Sequence, residues 1–138
     1  MKRYLFSYGT LLPDRAPPEI APTVRRMRRI GSGNVRGRLY DLGNYPGAVL
    51  NKAGSSISGE VFELPDSPDI LGKLDEYEGF DPANPQGSLF VRKRRLVSLN
   101  GGKKKWCWIY VYNRHPGRAP TLHGGDFSKS RPHRRMET

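Results

Sequence analysis

Ser67-Pro68-Asp69-Ile70-Leu71-Gly72-Lys73-Leu74-Asp75-Glu76-Tyr77-Glu78-Gly79 is the one stretch of this chain that reads convincingly as a helix. Ser67 is a good N-cap, Pro68 suits the first helical position, and Asp69 favours the positive end of the helix dipole. Gly79 then stops the helix, because glycine accepts the left-handed conformation that a helix end needs. Projected at about 100° per residue, Ile70, Leu71, Leu74 and Tyr77 fall within one arc roughly 120° wide, which is the buried face.

The same projection separates three acids. Glu76 points nearly opposite the arc and Asp75 lies just outside it, whereas Glu78 falls inside, four residues after Leu74 and seven after Leu71. An inward Glu78 is disfavoured as an anion by desolvation and by the negative end of its own helix. Both effects raise its pKa toward that of a useful proton acceptor and donor. Two roles stay open from geometry alone: a proton-transfer residue, or a structural acid accepting buried hydrogen bonds or paired with an arginine.

Around the helix, strand signals dominate. Arg3 to Tyr8, Gly37 to Leu42, Ile57 to Leu64, Leu89 to Leu99 and Lys104 to Asn113 are rich in β-branched and aromatic residues and are bounded by Gly, Pro or Asn. Leu99-Asn100-Gly101-Gly102 joins the last two as a hairpin, since its glycines tolerate positive φ. Val24 to Ile30 is ambiguous, and is compatible with a strand that has one exposed face. Tyr8-Gly9-Thr10-Leu11 follows the first strand. There Gly9 lets the backbone approach a ligand with no Cβ in the way, and successive amides can form an anion-holding nest. Gly31-Ser32-Gly33 lacks the strand-then-helix setting of a nucleotide-binding loop.

The 138 residues suffice for one domain, read as 1–127 with a basic tail at 128–138. The hydrophobic fraction is 36% and no apolar run approaches the roughly 20 residues of a membrane span, so no membrane partner is expected. The N-terminal apolar stretch is too short for a signal peptide. Cys107 is the single cysteine, which fits a reducing, cytoplasmic setting, and its place in Trp106-Cys107-Trp108-Ile109 points to a buried strand position rather than a nucleophile. His115, His123 and His133 lack the paired spacing of a metal site, so no metal is expected. The net charge of +11 is segregated: residues 1–91 hold 11 Lys/Arg and 11 Asp/Glu, whereas 92–138 hold 13 Lys/Arg against Asp126 and Glu137. That excess reads as a solvated basic surface and tail, or as a footprint for nucleic acid or another anionic partner.

In order along the chain, several blocks resemble the γ-glutamylcyclotransferase-like family, which includes γ-glutamylamine cyclotransferases and AIG2-like proteins. Phe6-Ser7-Tyr8-Gly9-Thr10-Leu11 resembles its substrate-binding loop, Gly37-Arg38-Leu39-Tyr40-Asp41-Leu42 with Tyr45-Pro46-Gly47 its next block, and Ser58-Gly59-Glu60-Val61-Phe62-Glu63-Leu64 the strand before its helix. Leu74-Asp75-Glu76-Tyr77-Glu78-Gly79 resembles its catalytic segment, and Trp108-Ile109-Tyr110-Val111-Tyr112 and Gly125-Asp126-Phe127 its closing elements. Phe90-Val91-Arg92 departs from a family pattern that often has Tyr-x-Arg, and the tail from Ser128 is unusually basic.

The resemblance implies an α+β fold, a small mixed β-barrel with few flanking helices. It also implies a cofactor-independent enzyme that cyclises the γ-glutamyl group of a small-molecule γ-glutamyl amine or amino acid to 5-oxoproline. Glu78 takes the catalytic position, and Tyr8, Gly9, Thr10 and Leu11 bind the substrate through its α-carboxylate or through the oxyanion at the γ-carbonyl. The alternative is a non-catalytic member of the fold that binds RNA or another anion through the basic C-terminal third.

Overall fold

The computed structural model describes residues 2–9 and 11–122. Six strands are formed: β1 (Tyr4–Ser7), β2 (Arg28–Asp41), β3 (Pro46–Leu50), β4 (Ser55–Glu63), β5 (Phe90–Leu99) and β6 (Lys104–Tyr112). Two helices accompany them, α1 (Ala21–Val24) and α2 (Ile70–Glu78), with a 3-10 turn at Pro85–Gly87. The strand order is β3-β2-β4-β1-β6-β5, and β5 returns to β2 through Gly33↔Leu99 and Asn34↔Ser98. Five strands thereby close into a barrel, and β3 flanks it beside the second half of β2. Every pairing is antiparallel except β1 with β6, so the barrel is mixed, as the resemblance implies.

Strand alternation sorts the apolar side chains into two cores. Phe6, Val35, Leu39, Ile57, Val61, Val97, Cys107 and Ile109 fill the barrel. Leu5, Phe62, Leu64 and Tyr110 point outward and are covered by Ile20, Val24, Ile70 and Leu74. Leu5 and Phe6, adjacent in sequence, therefore serve different cores. The narrow barrel also needs residues without side chains. A Cβ on Gly33 would stand 2.8 Å from the Ser98 carbonyl oxygen, so β2 and β5 meet there only because the residue is glycine.

Several local expectations need correction. Ser67 does not cap α2: Asp69 holds the cap position without a side-chain cap bond, and the Ser67 hydroxyl donates instead to the Asp69 carboxylate. Pro68 accordingly precedes the helix. Gly37 to Leu42 is only the second half of β2, which starts at Arg28 and takes a bulge between Arg29 and Gly31. The ambiguous Val24 to Ile30 contains the end of α1, a bend and the first residues of β2. β3 is absent from the strands that the sequence pattern marks, and it begins with Pro46 and Gly47, residues that weaken a strand signal. Among the described residues no helix is long and apolar enough to cross a membrane.

Candidate active site

β1 directs Phe6 into the barrel, and Tyr8 continues beyond the strand as a buried residue at the barrel end. Its hydroxyl donates to the Tyr110 carbonyl at 2.6 Å and accepts from the Ala48 N–H at 3.1 Å, which ties the start of the loop to β6 and β3 at once. Burial, and then the nearby Glu78 charge, push this phenol above its ordinary range, so Tyr8 is a neutral fixture. Gly9 has no positive φ; a Cβ there would stand 2.7 Å from Pro46 Cγ, so it is the approach of Pro46 that demands glycine. Leu11 is buried in the outer core. Thr10 lies outside the described residues, as do Gly125-Asp126-Phe127 and the tail.

α2 ends where the sequence predicts. Gly79 adopts φ 76°, its N–H returns to the Glu76 carbonyl at 3.3 Å, and the Phe80 N–H returns to the Asp75 carbonyl at 2.9 Å. Glu78 is the last helical residue. It is only half-buried as a residue, but its carboxyl group is enclosed by protein, and burial pushes the pKa from 4.5 up to about 8. No cation pairs with Glu78 among the described residues. Burial raises Tyr8, Tyr45 and Tyr110 above the ordinary tyrosine range, and the Glu78 charge adds to the rise in each. The carboxylate is thus within electrostatic reach of the loop residue Tyr8, the corner residue Tyr45 and the strand residue Tyr110.

Asp75 has the opposite surroundings. Projection leaves it just outside the buried arc, yet it is 5% exposed. Arg92 of β5 grips it with two bonds, Nε to Oδ1 at 2.7 Å and Nη2 to Oδ2 at 3.1 Å, and the Tyr110 hydroxyl donates to Oδ1 at 2.6 Å. The Arg92 guanidinium lies 4.4 Å from the Trp108 ring centroid and 5.7 Å from that of Phe80. The helix end therefore carries two inward acids, one fully compensated and one not. Sequence reasoning passed over Asp75 as a site residue, although Arg92 in the strand block offered the cation.

Aromatic residues line the neighbouring ground. Phe90 meets Tyr45 edge-on at 5.7 Å between ring centroids and Tyr112 at 5.6 Å. The tyrosine absent at position 90 thus has two tyrosines against the phenylalanine that replaces it. A cavity of about 400 Å³ is lined by Tyr8 and Leu12 and runs over Ser32, Asn34, Ser58 and Glu60. Glu78 does not line it. Cys107 is buried inside the barrel, and burial pushes its thiol up to about 12. Among the described residues, no three His, Cys, Asp or Glu side chains are grouped to hold a metal ion.

The chain matches the family described as "Gamma-glutamyl cyclotransferase, AIG2-like" over residues 5–129, and it belongs to that family. Solved structures that share its fold include three that span most of this chain. An AIG2-like protein from Mus musculus is 19% identical with a TM-score of 0.72, the alignment covering 94% of this chain and 91% of that one. YkqA from Bacillus subtilis is 24% identical with a TM-score of 0.67, covering 91% of this chain but 39% of YkqA, so the chain spans well under half of that protein. A solved gamma-glutamyl cyclotransferase is 15% identical with a TM-score of 0.60, covering 88% and 70%. No curated protein matches the chain.

Proposed function

We propose that this protein cyclises the γ-glutamyl group of a γ-glutamyl amine or γ-glutamyl amino acid to 5-oxoproline and releases the amine. The substrate's α-nitrogen attacks its own γ-carbonyl carbon; the new C–N bond closes a five-membered lactam, and the old C–N bond to the leaving amine breaks. Nucleophile and electrophile share one molecule, so most of the enzyme's task is holding the folded substrate and moving protons. Glu78 takes a proton from the α-ammonium group and returns one to the departing nitrogen, and a carboxyl titrating near neutrality does both in turn. Backbone amides of the Tyr8 to Leu11 loop hold the α-carboxylate or the developing oxyanion.

One observation supports this reading above others: Glu78 is an enclosed carboxylate without a cation partner among the described residues, electrostatically coupled to the Tyr8 loop, in a chain of this family. A structural acid would resemble Asp75, with its partners in place. The test is Glu78→Gln, which keeps shape and volume. Across a panel of γ-glutamyl compounds assayed for 5-oxoproline, the variant should turn over the accepted substrates at least ~100-fold more slowly. An unchanged rate would remove Glu78 from the reaction, and release of free glutamate in place of 5-oxoproline would identify a hydrolase.

A further inference from the structure

The β5–β6 hairpin is part of the barrel wall, and toward its turn the outer face is uncovered. On that face Arg92, Arg94 and Leu96 of β5 run beside Trp108 and Trp106 of β6, in the register Arg94↔Trp108 and Leu96↔Trp106. Arginine and indole stack diagonally: Arg92 lies 4.4 Å from the Trp108 centroid and Arg94 lies 5.3 Å from that of Trp106. Phe80, just past α2, and Asp75 cover the first pair. The second pair is open, with Trp106 53% exposed and Leu96 44% exposed.

Charge on this hairpin has one sign. Lys93, Arg94, Arg95, Lys103 and Lys104 are exposed, and none forms an ion pair among the described residues. Residues 82–125 contain no Asp or Glu at all. An exposed indole amid unneutralised cations on an extended strand pair is poorly suited to water and well suited to a flexible polyanion with flat, stackable rings.

We propose that this face binds single-stranded nucleic acid, with Trp106 as a stacking platform for a base and Arg94, Lys103 and Lys104 as phosphate contacts. Stacking needs an unpaired base, which excludes the interior of a duplex, and sequence preference is weak because every base has a π-face. One tryptophan and one leucine offer too little apolar area to embed in a bilayer, so an anionic membrane fits less well. The proposal is independent of the γ-glutamyl chemistry, because neither Trp106 nor these cations belongs to the candidate active site.

The test uses the full chain and a fluorescently labelled oligouridylate of about 12 nucleotides, followed by anisotropy and by quenching of tryptophan emission. Affinity should fall steeply between about 50 and 200 mM salt. Trp106→Ala should weaken binding roughly 10-fold at every salt concentration, with Trp106→Phe retaining most of it. Lys103→Glu with Lys104→Glu should flatten the salt dependence. Unchanged circular dichroism melts and, where activity is found, unchanged 5-oxoproline release confirm that these variants stay folded. The proposal is overturned by absence of binding at low salt, by equal competition from a duplex or heparin, or by an unaltered Trp106→Ala variant whose binding disappears on deletion of residues 128–138. Binding to phosphatidylserine vesicles but not to the oligonucleotide likewise rejects it.

Discussion

Arg92 and Asp75 are joined by two hydrogen bonds at 2.7 and 3.1 Å across the interface of α2 and β5, both largely buried, with Tyr110 donating to the same carboxylate. This clamp fixes α2 on the barrel three residues before Glu78. Glu78 has no such partner among the described residues.

Removing one member of a buried pair leaves the other charge stranded. Arg92→Ala should therefore destabilise the fold by about 3–5 kcal/mol, a fall of roughly 10–20 °C in the thermal midpoint. Adding Asp75→Asn to Arg92→Ala should recover part of the loss, because the stranded charge disappears. A single-variant midpoint within two or three degrees of wild type, on the order of 1 kcal/mol, would show that the clamp is not what seats the helix.

Stability should depend on pH through Glu78. Its native pKa of about 8 lies above the ordinary 4.5, so between these values the folded state binds more protons than the unfolded state. Stability is then greatest below pH 4.5 as far as this group is concerned, falls as pH rises through that window, and levels off above about 8. Glu78→Gln removes the penalty. Urea titrations should find the variant more stable than wild type at high pH by on the order of 2–4 kcal/mol, with the gap closing toward pH 5. A gap of constant size across that range would mean that Glu78 titrates normally.

The same group should shape the rate. As a base Glu78 must be ionised, so kcat/KM should rise with pH along a limb centred near 8. Glu78→Asp keeps a carboxyl but retracts it by one methylene, and should lower kcat more than it alters KM. A limb in the same place in Glu78→Gln would belong to the substrate's amine or to another residue.

Gly9 should tolerate no side chain while Pro46 stays in place, since a Cβ would sit 2.7 Å from Pro46 Cγ. Gly9→Ala should displace the loop and raise KM about 10-fold or more, in line with the sensitivity of positioned sites to small misplacements. Combining it with Pro46→Ala opens the space and should restore much of the affinity. If the double variant binds no better than Gly9→Ala alone, the glycine is needed for another reason.

The sequence patterns most readable were those set by local chemistry. Gly79 ends α2, Gly101 and Gly102 take the hairpin with φ 98° and 97°, and alternation marked most of the strands. The α+β class and the mixed barrel came through the resemblance, and the topology agrees. What escaped depends on contacts distant in sequence. Ser67 looks like a cap because local rules favour serine there, but α2 starts at Ile70 with Asp69 at the cap position, two residues on. Asp75 lay outside a projected helix arc because projection knows nothing of Arg92, seventeen residues on, or Tyr110, thirty-five on. β3 was hidden by a Pro-Gly pair that β2 holds in register as Tyr40↔Gly47 and Asp41↔Pro46.

Two pairings in the circumference are short, β2 with β5 through Gly33↔Leu99 and Asn34↔Ser98 and β1 with β6 through Leu5↔Trp108 alone, while β2 with β4 and β5 with β6 each share nine paired positions. Fluctuations that unzip the wall should begin at these two seams. Strand order puts β1, and with it the Tyr8 loop, across from the first seam and directly beside the second. One seam thus opens far from the place where a substrate would be held, and the other opens at its edge.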